Sequence, residues 1–305
     1  MPKTVKLRPA VIDTLLTNER LASYQSVFRP ATDLELMGAY LWNSQVCGVL
    51  YPLVSAAEVA LRNAIDHGVS GELGRFWWTR SRLRYKSFGQ GQPPKPVTVV
   101  SSNFAKSYAR AIDAARRATG NRNARPTHGA VVAGTDFSTW EYLLDDEFMG
   151  RGLIWPKVLG GVLCGPWPGN PTQTLRHART TAKTVREFRN RLSHHEPAWK
   201  RYGVVTEVDA VLHLREKIAR IEELLALVHP EKLRLLERNG FLPAARRTCS
   251  IDELRRCQLA HRRSKVGTMR KLQGVVDLAY RQDRAIEVST FGGDHRRFLL
   301  VPLGA

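Results

Sequence analysis

Apolar residues return every three or four positions through most of this chain, and that period commits it to helices. Leu34, Met37 and Leu41 set the pattern, and Leu53, Ala57, Ala60, Leu61 and Ile65 resume it after a break. Residues three and four apart share one face of a helix, so each run defines a stripe that must be buried. The same spacing predicts helices at 104–118, 138–148, 174–194, 205–228 and 230–238. Pro52 falls inside the first pattern, where its missing N–H and its ring predict a kink or a split. Gly- and Pro-rich stretches at 89–96, 120–134 and 160–171 punctuate the helices. They read as loops within one domain, because the helical pattern resumes on either side of each.

The texture changes after Gly240. Ser250-Ile251-Asp252-Glu253 is a capping box, in which Ser and Glu satisfy each other's free backbone donors. It opens a helix at 251–262, followed by a second at 268–281. Two apolar runs, 286–291 and 298–303, then flank Gly292-Gly293-Asp294 as a β-hairpin would. The expected fold is therefore all-α: a helical domain over 1–239 and a smaller basic extension over 240–305 made of two helices and a hairpin. That extension is compatible with a winged-helix-like nucleic-acid reader, in which Arg255, Arg256, Arg262 and Arg263 would carry the contacts. It is equally compatible with a solvated helical extension packed on the main body.

The 305 residues carry a formal net charge of +19, with 43% hydrophobic residues. A surplus of that size suits a polyanion, since every phosphate neutralised by Lys or Arg releases a condensed counterion. The longest apolar run, from Val46 to Ala57, is too short to span a bilayer, and Met1-Pro2-Lys3-Thr4-Val5-Lys6 has no apolar signal core. A cytoplasmic protein without a membrane partner is expected. Cys47, Cys164, Cys249 and Cys257 fit neither a disulfide framework nor a zinc knuckle. The histidines lack metal-type partners at helical spacing, so neither a metal nor another cofactor is expected.

One segment concentrates chemistry. Arg186-Glu187-Phe188-Arg189-Asn190-Arg191-Leu192-Ser193-His194-His195-Glu196-Pro197 puts three guanidiniums, an amide and two imidazoles on the last turns of one helix. Cutting RNA without a metal needs a base for the ribose 2′-hydroxyl, an acid for the departing 5′-oxygen and fixed positive charge on the phosphorane. Histidine can do the first two and arginine the third. On an ideal helix Arg186, Asn190 and His194 form one stripe, and Arg189 lies about 140° around from His194. Convergence then requires the helix to end near His194, or a second copy to pack beside it. Arg and His facing the negative end of a helix dipole, with Pro197 as punctuation, account for the same residues structurally. The pattern also recurs in Arg62-Asn63-Ala64-Ile65-Asp66-His67, where Glu58 sits one turn before Arg62 and could pair with it.

Arg189-Asn190-Arg191-Leu192-Ser193-His194-His195-Glu196-Pro197 resembles the Arg-Asn-x-x-x-His motif of the Abi-like (abortive infection) proteins in the HEPN superfamily. Glu58-Val59-Ala60-Leu61-Arg62-Asn63-Ala64-Ile65 is similar to their upstream signature, and Phe137-Ser138-Thr139-Trp140 and Leu153-Ile154-Trp155-Pro156 to their intervening segments. The resemblance implies a HEPN-type helical bundle, commonly dimeric, acting as a metal-independent endoribonuclease in phage defence or as a toxin. It implies RNA as substrate, ends with 2′,3′-cyclic phosphate and 5′-hydroxyl, a composite site in a homodimer, and an antitoxin or other regulatory protein. By position, Arg189, Asn190 and His194 would be catalytic, with His195, Glu58, Arg62 and Arg186 in support. The competing reading is a non-catalytic RNA- or DNA-binding protein that grips through its basic helices and tail.

Overall fold

The computed structural model describes residues 8–79, 82–89, 91–258, 263–282, 286–290 and 297–300. It is mostly helical, as the apolar period predicts. A π-helical segment, Arg8–Leu16, precedes α1 (Asn18–Phe28), α2 (Asp33–Leu73) and α3 (Lys95–Thr119). Short helices α4 (His128–Ala133), α5 (Phe137–Leu143), α6 (Ile154–Lys157) and α7 (Leu159–Val162) follow. The long helices α8 (Pro171–Ser193) and α9 (Glu207–Val228) lead to α10 (Pro230–Arg238), α11 (Phe241–Thr248) and α12 (Ile251–Cys257). Strand β1 (Arg263–Val266), α13 (Met269–Gln282), β2 (Ile286–Thr290) and β3 (Arg297–Leu300) close the described chain.

Three sequence expectations are corrected. Of the kink or split expected at Pro52, the split does not occur, since α2 runs from Asp33 to Leu73 with the proline inside it. The residue whose carbonyl faces the proline ring, four positions back, is Gly48, whose backbone adjusts at least steric cost. Leu50, Leu53, Val54 and Ala57 around the proline are fully buried, which offsets the lost hydrogen bond. The helix expected over 138–148 breaks after α5, because the Asp145 carboxylate takes the Glu147 N–H at 2.9 Å and starts a separate 3₁₀ turn. Strand β1 is the third. Its sequence, Arg-Ser-Lys-Val, offers one apolar residue, too little for a strand to be read from period alone.

The chain clusters into two compact units, and one of the boundaries between them falls at 239/240, where the sequence expectation places its break. One unit gathers residues 1–51, 191–218 and 240–305; the other gathers 52–190 and 219–239. The basic extension is thus part of a larger unit. Inside it, the Trp42 indole N–H donates to the Thr248 carbonyl at 2.8 Å. A Cβ on Gly38 would lie 2.4 Å from the Cys257 carbonyl oxygen, so only glycine lets the end of α12 approach α2 there. Tyr24 and Phe28 meet Trp199 edge-on, with ring centroids 5.1 and 4.8 Å apart. These aromatics form the core of that unit.

The strands add a small satellite core of Val266, Val275, Ala279, Ile286 and Val288, with Leu272, Leu278 and Leu300 against it. β1 pairs parallel to β2, with α13 as the crossover such a pair requires, and β2 pairs antiparallel to β3 with Ile286 opposite Leu300. The expected Gly292-Gly293-Asp294 turn lies outside the described residues.

The second unit is centred on Trp77, Phe104, Trp140 and Trp155, all buried. Gly165 lets the backbone after α7 meet the end of α9: its N–H donates to the Leu227 carbonyl at 3.0 Å, and a Cβ would sit 1.9 Å from the Ala226 oxygen. α2 is long and apolar enough by composition to cross a membrane. Its Trp42, Val46, Leu50, Leu53, Leu61 and Ile65 are fully buried, the pattern of a core helix.

Candidate active site

The motif helix α8 buries Leu175, Ala178, Ala182, Val185, Phe188 and Leu192, a stripe at three- and four-residue intervals. The division between the two units falls between Asn190 and Arg191. Arg186, Arg189 and Asn190 belong to the second unit, and His194 and His195 to the first.

In the second unit, the structure brings the upstream signature and the motif together. Arg189 Nε lies 3.6 Å from a Glu58 carboxylate oxygen. The pairing expected within one turn of α2 is not the one formed: Arg62 turns its Nε to Asn63 Oδ1 at 3.3 Å and acts on Glu58 through charge. Burial raises the Glu58 pKa above the usual carboxylate value, Arg189 and then Arg62 pull it back, and Asp136 pushes it up. The Glu58 side chain is 15% exposed and that of Arg189 is 37% exposed, so the carboxylate is the more buried partner of the pair. Arg186 forms an ion pair with Glu141, whose side chain is only 3% exposed. Removing Arg186 would strand that carboxylate without its partner, so its role is structural.

In the first unit the helix ends before His194. The His195 N–H donates to the Leu192 carbonyl and the Glu196 N–H to the Arg191 carbonyl, both at 3.1 Å, which is a Schellman closure. His195 occupies the left-handed position with φ +55°, where glycine is usual. The helical-wheel stripe from Arg186 through Asn190 therefore stops short of His194, whose direction is set by the cap. Arg20 Nη2 donates to the His195 carbonyl at 2.7 Å and steadies that turn. Both imidazoles are exposed.

His194 and His195 line a cavity of about 450 Å³ with Arg20, Tyr40, Asn43, Ser44, Cys47 and Leu16. Asn43 is fixed by accepting the Ala198 N–H at 2.9 Å. Burial pushes the Cys47 thiol up to about 11, so it stays protonated and is no nucleophile at neutral pH. The cavity thus offers a guanidinium, two imidazoles, a phenol and an amide, a set able to hold a phosphate and move protons beside it.

Arg20, Tyr40 and Asn43 were not legible as site residues. Tyr40, Asn43, Ser44 and Cys47 do recur at three- and four-residue spacing on an otherwise apolar helix, and that polar stripe was the available signal. Arg20 sits on α1, a helix not among those expected, although Leu21, Tyr24, Val27 and Phe28 carry the apolar period there.

Two of the extension's four named arginines form ion pairs. Arg255 pairs with Glu207 at 2.5 Å and bonds Gln258, and Arg256 pairs with Glu253 and bonds Gln45. Arg263 opens β1, and Arg262 lies outside the described residues. All four cysteines are free thiols. Among the described residues, no three His, Cys, Asp or Glu side chains gather as a metal site would. Compared with known proteins, the chain matches no family model, no curated protein and no solved structure.

Proposed function

We propose that this protein is a metal-independent endoribonuclease of the Abi-like HEPN type. The observation that carries the reading is the cavity where Arg20 stands with His194 and His195 at the capped end of the motif helix. In the reaction, the ribose 2′-oxygen attacks phosphorus as a histidine removes its proton. The bond from phosphorus to the 5′-oxygen breaks as that oxygen gains a proton. The products are a 2′,3′-cyclic phosphate and a 5′-hydroxyl, and no water is consumed. His194 is the proton-transfer group, with His195 and Asn190 beside it in the motif. The motif assigns to Arg189, which Glu58 restrains, the fixed charge the phosphorane needs, and Arg20 stands with the imidazoles at the cavity.

The positive net charge draws in RNA. A homodimer supplies both acid and base from two copies of the motif, and a toxin of this kind works in the cytoplasm under a regulatory protein. The binding-only reading would use Arg255, Arg256, Arg262 and Arg263, of which Arg255 and Arg256 form ion pairs within their own unit.

The test is cleavage of a labelled RNA in EDTA, with the product ends analysed. Cyclic-phosphate ends that disappear in His194→Ala, with folding and RNA affinity retained, are expected. Undiminished cleavage in that variant would overturn the assignment of His194. Light scattering beside the assay reads the expected dimer.

A further inference from the structure

The second unit holds a larger groove, remote in the sequence from the motif. It has a volume of about 1070 Å³, at the upper end of the roughly 300–1,000 Å³ common for small-ligand pockets. Its walls are aromatic: Phe76, Trp78, Tyr85, Phe88, Phe104 and Tyr108 all line it.

These rings divide into two kinds. Trp78 is stacked on Phe104 with centroids 4.3 Å apart and planes 5° apart, and packs on the His128 ring at 4.9 Å. Trp78 is thus already engaged in ring contacts. His128 is itself locked, since Nδ1 accepts the Phe76 N–H at 3.1 Å and Nε2 lies 3.0 Å from both Asp66 carboxylate oxygens. Accepting at Nδ1 leaves the proton on Nε2 for Asp66, so this pair is a clamp behind the wall. Phe88 is different. It is 54% exposed, lines the groove and touches Tyr85 with ring centroids 5.3 Å apart. Tyr85 and Tyr108 are half-buried along the same groove.

Charge selects the occupant. Among the described residues no Asp or Glu lines the groove, and Arg125 stands exposed among its lining residues. Residues 95–125, which include the α3 wall, carry seven Lys or Arg against one Asp. A wholly apolar ligand would leave Arg125, the charged residue among the described lining, without a counter-charge. A single strand of nucleic acid needs both parts, aromatic faces for its bases and cations for its backbone.

We infer that the groove is a binding site for the unpaired bases of single-stranded RNA, stacked on Phe88, Tyr85 and Tyr108 with the backbone along Arg125. The inference extends the ribonuclease reading by naming single-stranded RNA as the substrate class, and its test does not depend on cleavage. The probe is a fluorescent 2′-O-methyl oligouridylate, which lacks the attacking hydroxyl and so reports binding whether or not the chain is a nuclease. The full-length protein is expected to bind it at least tenfold more tightly than a duplex or an abasic strand of equal length. Phe88→Ala should weaken binding by roughly five- to tenfold or more, as loss of one stacked base does, and Phe88→Tyr should restore it. Arg125→Gln should lower the salt dependence by about 0.7 in the logarithmic slope. Equal affinity for the abasic strand, or unchanged affinity in both Phe88→Ala and Tyr108→Ala, would overturn the inference. Binding that meets these expectations without cleavage of ordinary RNA would sink the nuclease reading and leave this one standing.

Discussion

The chain carries Arg-Asn followed four residues later by His twice, and the two copies have different fates. Arg62-Asn63 and His67 lie inside α2, which continues to Leu73, so His67 is one more exposed side chain on a running helix. Arg189-Asn190 and His194 straddle a helix end. There the Schellman closure and the left-handed His195 turn two imidazoles into a cavity with Arg20. The same residues at the same spacing give a surface in one place and a cavity in the other. What separates them is helix termination, and Pro197 is the local cause.

The largest test of that contrast is chemical. His194→Ala should reduce RNA cleavage by about 10²–10⁴-fold, the usual worth of a general acid or base, while His67→Ala stays within about twofold of the wild type. Single-turnover rates in EDTA measure both. Equal effects at the two histidines would dissolve the distinction.

Next come the arginines. Arg189→Gln should cost about 10²–10³-fold in rate, the range for losing one charge-stabilising donor, and Arg62→Gln only a few-fold. Rates measured at saturating RNA separate the chemical step from binding.

A third prediction uses pH. His213, 7% exposed, is held down to about 4 by burial first, then by Lys217, Arg201 and Arg191, against Glu216. Its folded pKa is below the unfolded value, so the unfolded chain binds the extra proton between those two values. Stability should therefore be complete above about pH 6.5 and decline as the pH falls toward 4, by on the order of 2 kcal/mol. Urea melts at pH 7 and pH 5 read this loss, and His213→Leu should remove most of it. Arg191, whose charge contributes to this shift, belongs to the second copy of the motif.

The smallest effect is the most direct on the backbone. His195→Gly should stabilise the fold by up to about 1 kcal/mol, because glycine takes the left-handed conformation without penalty. His67→Gly, in a helix interior, should destabilise it by about the same amount. Opposite shifts in melting temperature are expected, and shifts of one sign would mean that the helix does not end where the structure ends it.

Much of this was readable beforehand. The helices α8, α9 and α10 follow from their apolar stripes, and Ser250 caps α12 by accepting the Glu253 N–H, as the capping box predicts. The motif was visible as a cluster of chemistry. Its partners were not, because Glu58 reaches Arg189 across 131 positions of sequence, by subtraction of the two numbers, and Arg20 reaches the His195 carbonyl from 175 positions away. Helical period reports which face of one helix is buried and says nothing of which helix lies against it. The same limit hid the aromatic groove, since Phe88 and Tyr108 read simply as apolar residues in a loop and a helix.

The sequence by itself therefore determined the class of the fold, the end of the motif helix and the excess of positive charge, because each is set by local pattern or by composition. Tertiary structure alone decided which guanidinium stands beside the histidines, which carboxylate restrains Arg189, and that Arg255 and Arg256 are held by Glu207 and Glu253. Those outcomes depend on side chains brought together by burial of distant apolar faces, a contest between packing surfaces that no single stretch of chain records.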